Sequence, residues 1–113
     1  MSLESFELVM LRRPPQPAEY DDQTLERIQA EHLEFHARLR EQGLVVTNGP
    51  LIGQPDPLLR GLTFYRVGSV EEARRIAEQD PSVKAGRLVV EVMQWLCPAG
   101  TMVQPGHPYA VAM

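Results

Sequence analysis

Cys97 is the single cysteine in 113 residues. No internal disulfide can form, and a reducing cytoplasm is the expected setting. No stretch approaches the roughly 18 consecutive apolar residues of a membrane span. The first residues carry Glu4 and Glu7 and run straight into a strand-like pattern, which is not the layout of a signal peptide. Basic charge is short as well: 11 Lys and Arg stand against 15 Asp and Glu, a net charge of −4. That balance argues against nucleic acid or an anionic membrane as partner, although a local basic patch could still hold a small anion. There is no Gly-rich phosphate loop and no nucleophile elbow, and no redox cofactor is expected. Internal repeats and low-complexity tracts are also missing. The remainder is ordinary globular material, 43% hydrophobic and 23% charged, of a length that fits one domain with one core.

The most informative stretch is Leu25 to Leu39. Leu25, Ile28, Phe35 and Leu39 recur at helical spacing and form one apolar stripe. Glu26, Arg27, Ala30, Glu31, Glu34, Ala37 and Arg38 fill the opposite arc. His32 breaks the pattern by occupying the stripe between Ile28 and Phe35. An imidazole there needs a hydrogen-bond partner or a chemical task. His36, four residues on, falls at the edge of the stripe and reads as a partly exposed neighbour. Two histidines at that spacing could address one metal, but no cysteine pair or nearby aspartate completes a ligand set, so no metal is expected.

Around this helix the chain alternates. Phe6–Leu11 reads as a strand with two apolar faces, Phe6, Leu8 and Met10 against Glu7, Val9 and Leu11. The run Arg12-Arg13-Pro14-Pro15 ends it, because proline offers no ladder donor. Asp21 or Asp22 caps the helix and Gly43 stops it. Leu44–Thr47 is a second strand ending at Asn48-Gly49-Pro50, and Leu51–Leu59 is a long hairpin loop. Arg60–Val67 is a third strand, with Leu62 and Phe64 opposed to Thr63, Tyr65 and Val67. Ser69 and Glu72 form a capping box for a short helix that Pro81 cannot continue. Arg87–Leu96 is the fourth strand. Residues 1–97 make the domain, and the Gly- and Pro-rich stretch 98–113 is expected as an extension. The order strand, helix, strand, strand, helix, strand predicts an α+β, ferredoxin-like βαββαβ fold: a four-stranded antiparallel sheet with two helices on one face.

Topology brings certain polar residues to one edge of that sheet: Arg12, Arg13, Gly49, Pro50 and Asp80, with His32 facing the sheet below the helix start. Asp80 is the nearest plausible acid for His32, and a carboxylate on one ring nitrogen makes the other a better base. Arg12 and Arg13 could hold an anionic or phenolate group. Gly49 could let a ligand approach closely. Trp95 and Tyr65 read as packing groups, Cys97 as an unactivated thiol, and His107 as uninvolved.

His32-Leu33, Gly49-Pro50 and Asp80-Pro81 with Val83, Ala85 and Gly86 resemble the pattern of the YciI-like (YCII-related) family of the dimeric α/β-barrel superfamily, over residues 6 to 96. The resemblance implies a ferredoxin-like protomer, a face-to-face homodimer, and a pocket in which His32 and Asp80 form a catalytic pair. It also implies dehydrochlorinase-type elimination as the clearest activity. The proline-rich connector, His36 and the tail depart from that pattern. The expected function is therefore a cofactor-independent lyase or isomerase. His32 and Asp80 are its catalytic residues, Arg12, Arg13, His36, Gly49 and Pro50 contact a small cyclic or phenolic substrate, and neither nucleic acid nor a membrane is a partner. The alternatives are a cofactor-free oxygenase or a non-catalytic small-molecule-binding protein. Independently of the resemblance, two helices cover only one face of a sheet that is apolar on both, which predicts a homodimer packed through the first and fourth strands.

Overall fold

A computed structural model describes residues 1–102. It contains β1 (Leu3–Arg12), α1 (Asp22–Glu41), β2 (Val45–Pro50), β3 (Leu59–Tyr65), α2 (Val70–Ala77), α3 (Pro81–Lys84) and β4 (Val89–Pro98). The strands form one sheet in the order β2-β3-β1-β4, with every neighbouring pair antiparallel. This is the ferredoxin-like α+β arrangement. β1 lies in the interior of the sheet because both of its faces are apolar and its ladder groups are shared between β3 and β4.

The helices pack on the face carrying Val9, Leu11 and Tyr65. Leu39 of α1, Ala73, Ile76 and Ala77 of α2, and Val45 and Leu88 close that core. α1 begins where Asp21 accepts from the backbone N–H of Thr24, and the chain leaves it through Gly43 at φ 77°, a conformation open to glycine at little cost. Ser69 caps α2 by accepting from the Glu72 N–H.

Two local expectations are corrected. Pro81 does not simply end a helix; it opens the four-residue α3, with Asp80 as N-cap. Proline suits the first helical position because its missing N–H is one that would go unpaired there. β4 starts and finishes two residues later than predicted, and its last residues pair with Leu3 and Glu4. The turn after β4 is tied back through Ala99 N–H to the Ser2 carbonyl and Gly100 N–H to Glu4. His107 and the remainder of the expected extension lie outside the described residues.

Glu7 is the least expected member of the inner face. It is 2% exposed and has no cation partner among the described residues. One carboxylate oxygen accepts from the N–H groups of Val67 and Gly68, the other from the Gln94 amide. These bonds fasten the entry to α2 onto the sheet. Tyr65 is the contrasting case, fully buried with a hydroxyl that has no hydrogen-bond partner among the described residues.

These environments set opposite outcomes. Glu7→Ala should lower unfolding free energy by at least about 2 kcal/mol, because it strands buried donors. Tyr65→Phe should leave stability unchanged or raise it, because no bond is lost. Urea unfolding of the two variants beside wild type checks both signs.

Candidate active site

α1 crosses the sheet with Ile28, His32, His36 and Leu39 on its inward stripe, a spacing that stacks residues one turn apart. His32 reaches the helix surface beside α3. Its Nδ1 lies 2.7 Å from Asp80 Oδ2. Asp80 is 1% exposed and spends its other oxygen on the Ser82 N–H at 2.9 Å and the Ser82 hydroxyl at 2.8 Å. One carboxylate thus caps α3 and holds the α1 imidazole. Burial works against the Asp80 charge, but the hydrogen bonds from His32 and Ser82 and the proximity of the imidazole outweigh it and leave the carboxyl below its ordinary range.

This geometry sets the tautomer. An ionised carboxylate can only accept, so in the neutral ring the Asp80-facing Nδ1 carries the proton and Nε2 keeps its lone pair. His32 lines a cavity of about 360 Å³ between α1, the open ends of β2 and β3, and the segment after α3. Leu11, Ile28 and Leu88 form apolar walls, and Thr63, Ser82, Asn48, Gly49 and Pro50 add polar groups and backbone. The size and mixture are those of a small-molecule site.

His36 is placed differently from the partly exposed position expected of it. It is 2% exposed. Its Nδ1–H donates to the His32 carbonyl at 3.2 Å, and Nε2 accepts from the Thr63 hydroxyl at 3.4 Å. Burial holds it below the ordinary imidazole range. The helix is rotated slightly further toward the sheet than the Leu25–Phe35 stripe suggested, which draws His36 in and leaves Leu33 exposed at the cavity mouth. His32, His36 and Asp80 do bring potential ligand atoms within 4.8 Å of one another, contrary to the expectation that no aspartate would reach the pair. Each Nδ1 there is already a hydrogen-bond donor, one to the carboxylate and one to a carbonyl.

Arg12 is also corrected. The strand alternation that puts Leu11 inside turns Arg12 to the other face, where it pairs with Asp56 at 2.6 Å and with Glu91. Arg13 does line the cavity, together with Arg60 and Arg87, which the sequence reading did not single out. Ser82 carries no signal while Asp80-Pro81 reads as a stop; as N-cap and first helical residue, the same dipeptide places Ser82 beside the carboxylate. Gly49 borders the cavity with open space where a Cβ would stand, whereas a Cβ at Gly61 would lie 2.9 Å from the Gly49 carbonyl. Close strand approach therefore requires glycine at 61.

The sequence pattern of the YCII-related domain matches residues 8–96. The chain belongs to the YCII-related domain family. Among curated proteins no match is found. Among solved structures, the chain is similar to the 5-chloro-2-hydroxyhydroquinone dehydrochlorinase TftG of Burkholderia phenoliruptrix AC1100, in complex with 2,5-dihydroxybenzoquinone. The two are 21% identical with a TM-score of 0.58, over 80% of this chain and 92% of that one. At this identity the likeness establishes a shared YCII-type fold.

Because its folded carboxyl sits below the unfolded value near 3.9, Asp80 contributes stability that is present above about pH 4 and is lost as pH falls through the folded value. Asp80→Asn should be less stable than wild type at pH 7, with the gap narrowing progressively below pH 4. Paired thermal melts across that range check it.

Proposed function

We propose that this YCII-family protein is a small cofactor-independent enzyme of lyase or isomerase type. His32 Nε2 takes a proton from a hydroxyl or an acidic carbon of a small cyclic or phenolic substrate. The electron pair left behind either expels a leaving group from the ring, with net loss of an acid HX, or is reprotonated at another position. Asp80 orients the ring and stabilises the positive charge as it forms. The observation that carries this reading is the 2.7 Å contact between the cavity-lining His32 and the buried Asp80. The similarity to a dehydrochlorinase structure supports elimination over other proton transfers. Arg13, Gly49 and Pro50 belong to the substrate wall in this reading, while His36 supports α1 from behind.

The reading includes a homodimer. The sheet face away from the helices carries Phe6, Leu8, Met10, Leu62, Phe64, Met93 and Trp95. Phe6 is covered by the Trp95 ring and by the Arg66 guanidinium 5.2 Å above it, while Val89 and Met93 stand 43% and 38% exposed. A second copy laid sheet to sheet would cover this face, and the cavity lies on the opposite side.

Halide release from a panel of chlorinated hydroquinones should be catalysed at equal rate under air and under nitrogen. It should be nearly abolished by His32→Ala and reduced on the order of 10²–10⁴-fold by Asp80→Asn. A requirement for oxygen would favour the oxygenase alternative, and equal turnover by His32→Ala would remove His32 from the chemistry. Sedimentation at low micromolar concentration should give a dimer, converted to monomer by Leu8→Lys. A folded wild-type monomer there would refute the assembly.

A further inference from the structure

We propose that the substrate of this cavity carries a carboxylate, bound by a guanidinium cluster of Arg13, Arg60 and Arg87 opposite the proton-transfer group. The proposal rests on the reading of the cavity as the substrate site and adds the charge class of what enters it.

All three arginines line the one cavity, and no acidic residue does. None of the three has a carboxylate partner among the described residues, although the chain as a whole is acidic and Arg12, Arg27, Arg38 and Arg75 each find one. The protein supplies them only carbonyls. Arg60 Nη1 donates to the Pro57 carbonyl at 3.1 Å, and Arg87 Nη1 donates to the Ala18 carbonyl at 3.0 Å. Arg13 is fixed through its backbone N–H to the Leu58 carbonyl at 2.8 Å, while its Nε is buried with no hydrogen-bond partner. A buried, unanswered donor on a charged group is expensive unless something occupies it. Burial and the repulsion of Arg87 and Arg60 push the Arg13 guanidinium down from its ordinary value. A fold that gathers three like charges against a part-apolar wall, and leaves the buried Nε of one of them without a partner, is arranged to receive an anion.

The chemistry of the donors selects the anion. Planar guanidinium forks match a carboxylate in two parallel bonds. The apolar walls and the small cavity leave room for one ring beside that group. The carboxylate would dock on the arginines while the ring presents a hydroxyl or acidic carbon to His32 Nε2.

The test is calorimetric binding of two probes that differ in the carboxylate, 2,5-dihydroxybenzoate and hydroquinone. Wild type should bind the carboxylate on the order of 10- to 100-fold more tightly, the scale of one or two charge-assisted hydrogen bonds. Arg13→Gln and Arg87→Gln should each remove most of that preference. His32→Asn should retain it. Arg13→Gln should also unfold at an equal or higher temperature than wild type, since it removes a buried donor that has no partner and a charge repelled by Arg60 and Arg87. Equal affinity for the two probes, failure of wild type to bind the carboxylate at all, or a preference untouched in both arginine variants would overturn the proposal. The readout is separable from catalysis. Halide release from neutral phenols without carboxylate preference would sink this inference alone. Carboxylate preference without turnover of any substrate would sink the enzymatic reading and leave this one standing.

Discussion

The bond between His32 and Asp80 is the constraint on which the site depends. A carboxylate that is 1% exposed must be fully answered or it unfolds what surrounds it. Asp80 is answered by the first turn of α3 and by a ring on α1, residues 48 apart in sequence. The same atoms that satisfy the capping requirement of a four-residue helix therefore lock the rotation of the imidazole. Loss of His32 would leave one oxygen of the buried Asp80 without its partner, and loss of Asp80 would free the ring and uncap α3, so local folding and site geometry are one problem with one solution.

Behind that bond lies a second polar layer. His36 spends both nitrogens, one on the preceding turn of its own helix and one on Thr63 of β3. A neutral histidine with each nitrogen matched to the right kind of partner can be buried at low cost. It registers α1 against the sheet at the level where His32 must face the cavity. Glu7 plays a comparable role on β1, where backbone amides rather than cations answer its charge. The inner face of this sheet is thus not a purely apolar surface. Among the described residues, His36 and Glu7 are satisfied locally, whereas the Tyr65 hydroxyl has no partner.

The sheet also separates two kinds of surface. The helix side ends in a cavity ringed by His32 and three arginines, and the other side is apolar with aromatic contacts among Phe6, Phe64 and Trp95. Strand alternation produces both at once. Leu11 enters the cavity wall, so Arg12 must leave for the opposite face, and its neighbour Arg13, beyond the end of the strand, is free to turn back in.

Periodicity determined the element order, the strand faces and the caps at Asp21 and Ser69, because those depend on neighbours within a few residues. It also marked His32, since an imidazole on an apolar stripe violates a local rule. The expected topology and the family pattern together paired it with Asp80. Other features were decided in three dimensions. The rotation of α1 that buries His36 depends on how Phe35 and Leu39 pack on the sheet, which spacing alone leaves open by a fraction of a turn. The start of α3 at Pro81 was encoded in Asp80-Pro81-Ser82, but the same residues also spell a turn, and in the folded chain the bond to His32 holds the Asp80 cap in place. Arg60 and Arg87 carry no sequence signal at all. They reach Arg13 because antiparallel pairing sets the start of β3 beside the end of β1 and the fold brings the approach to β4 alongside, and a charge cluster built from three distant segments exists only once the sheet does.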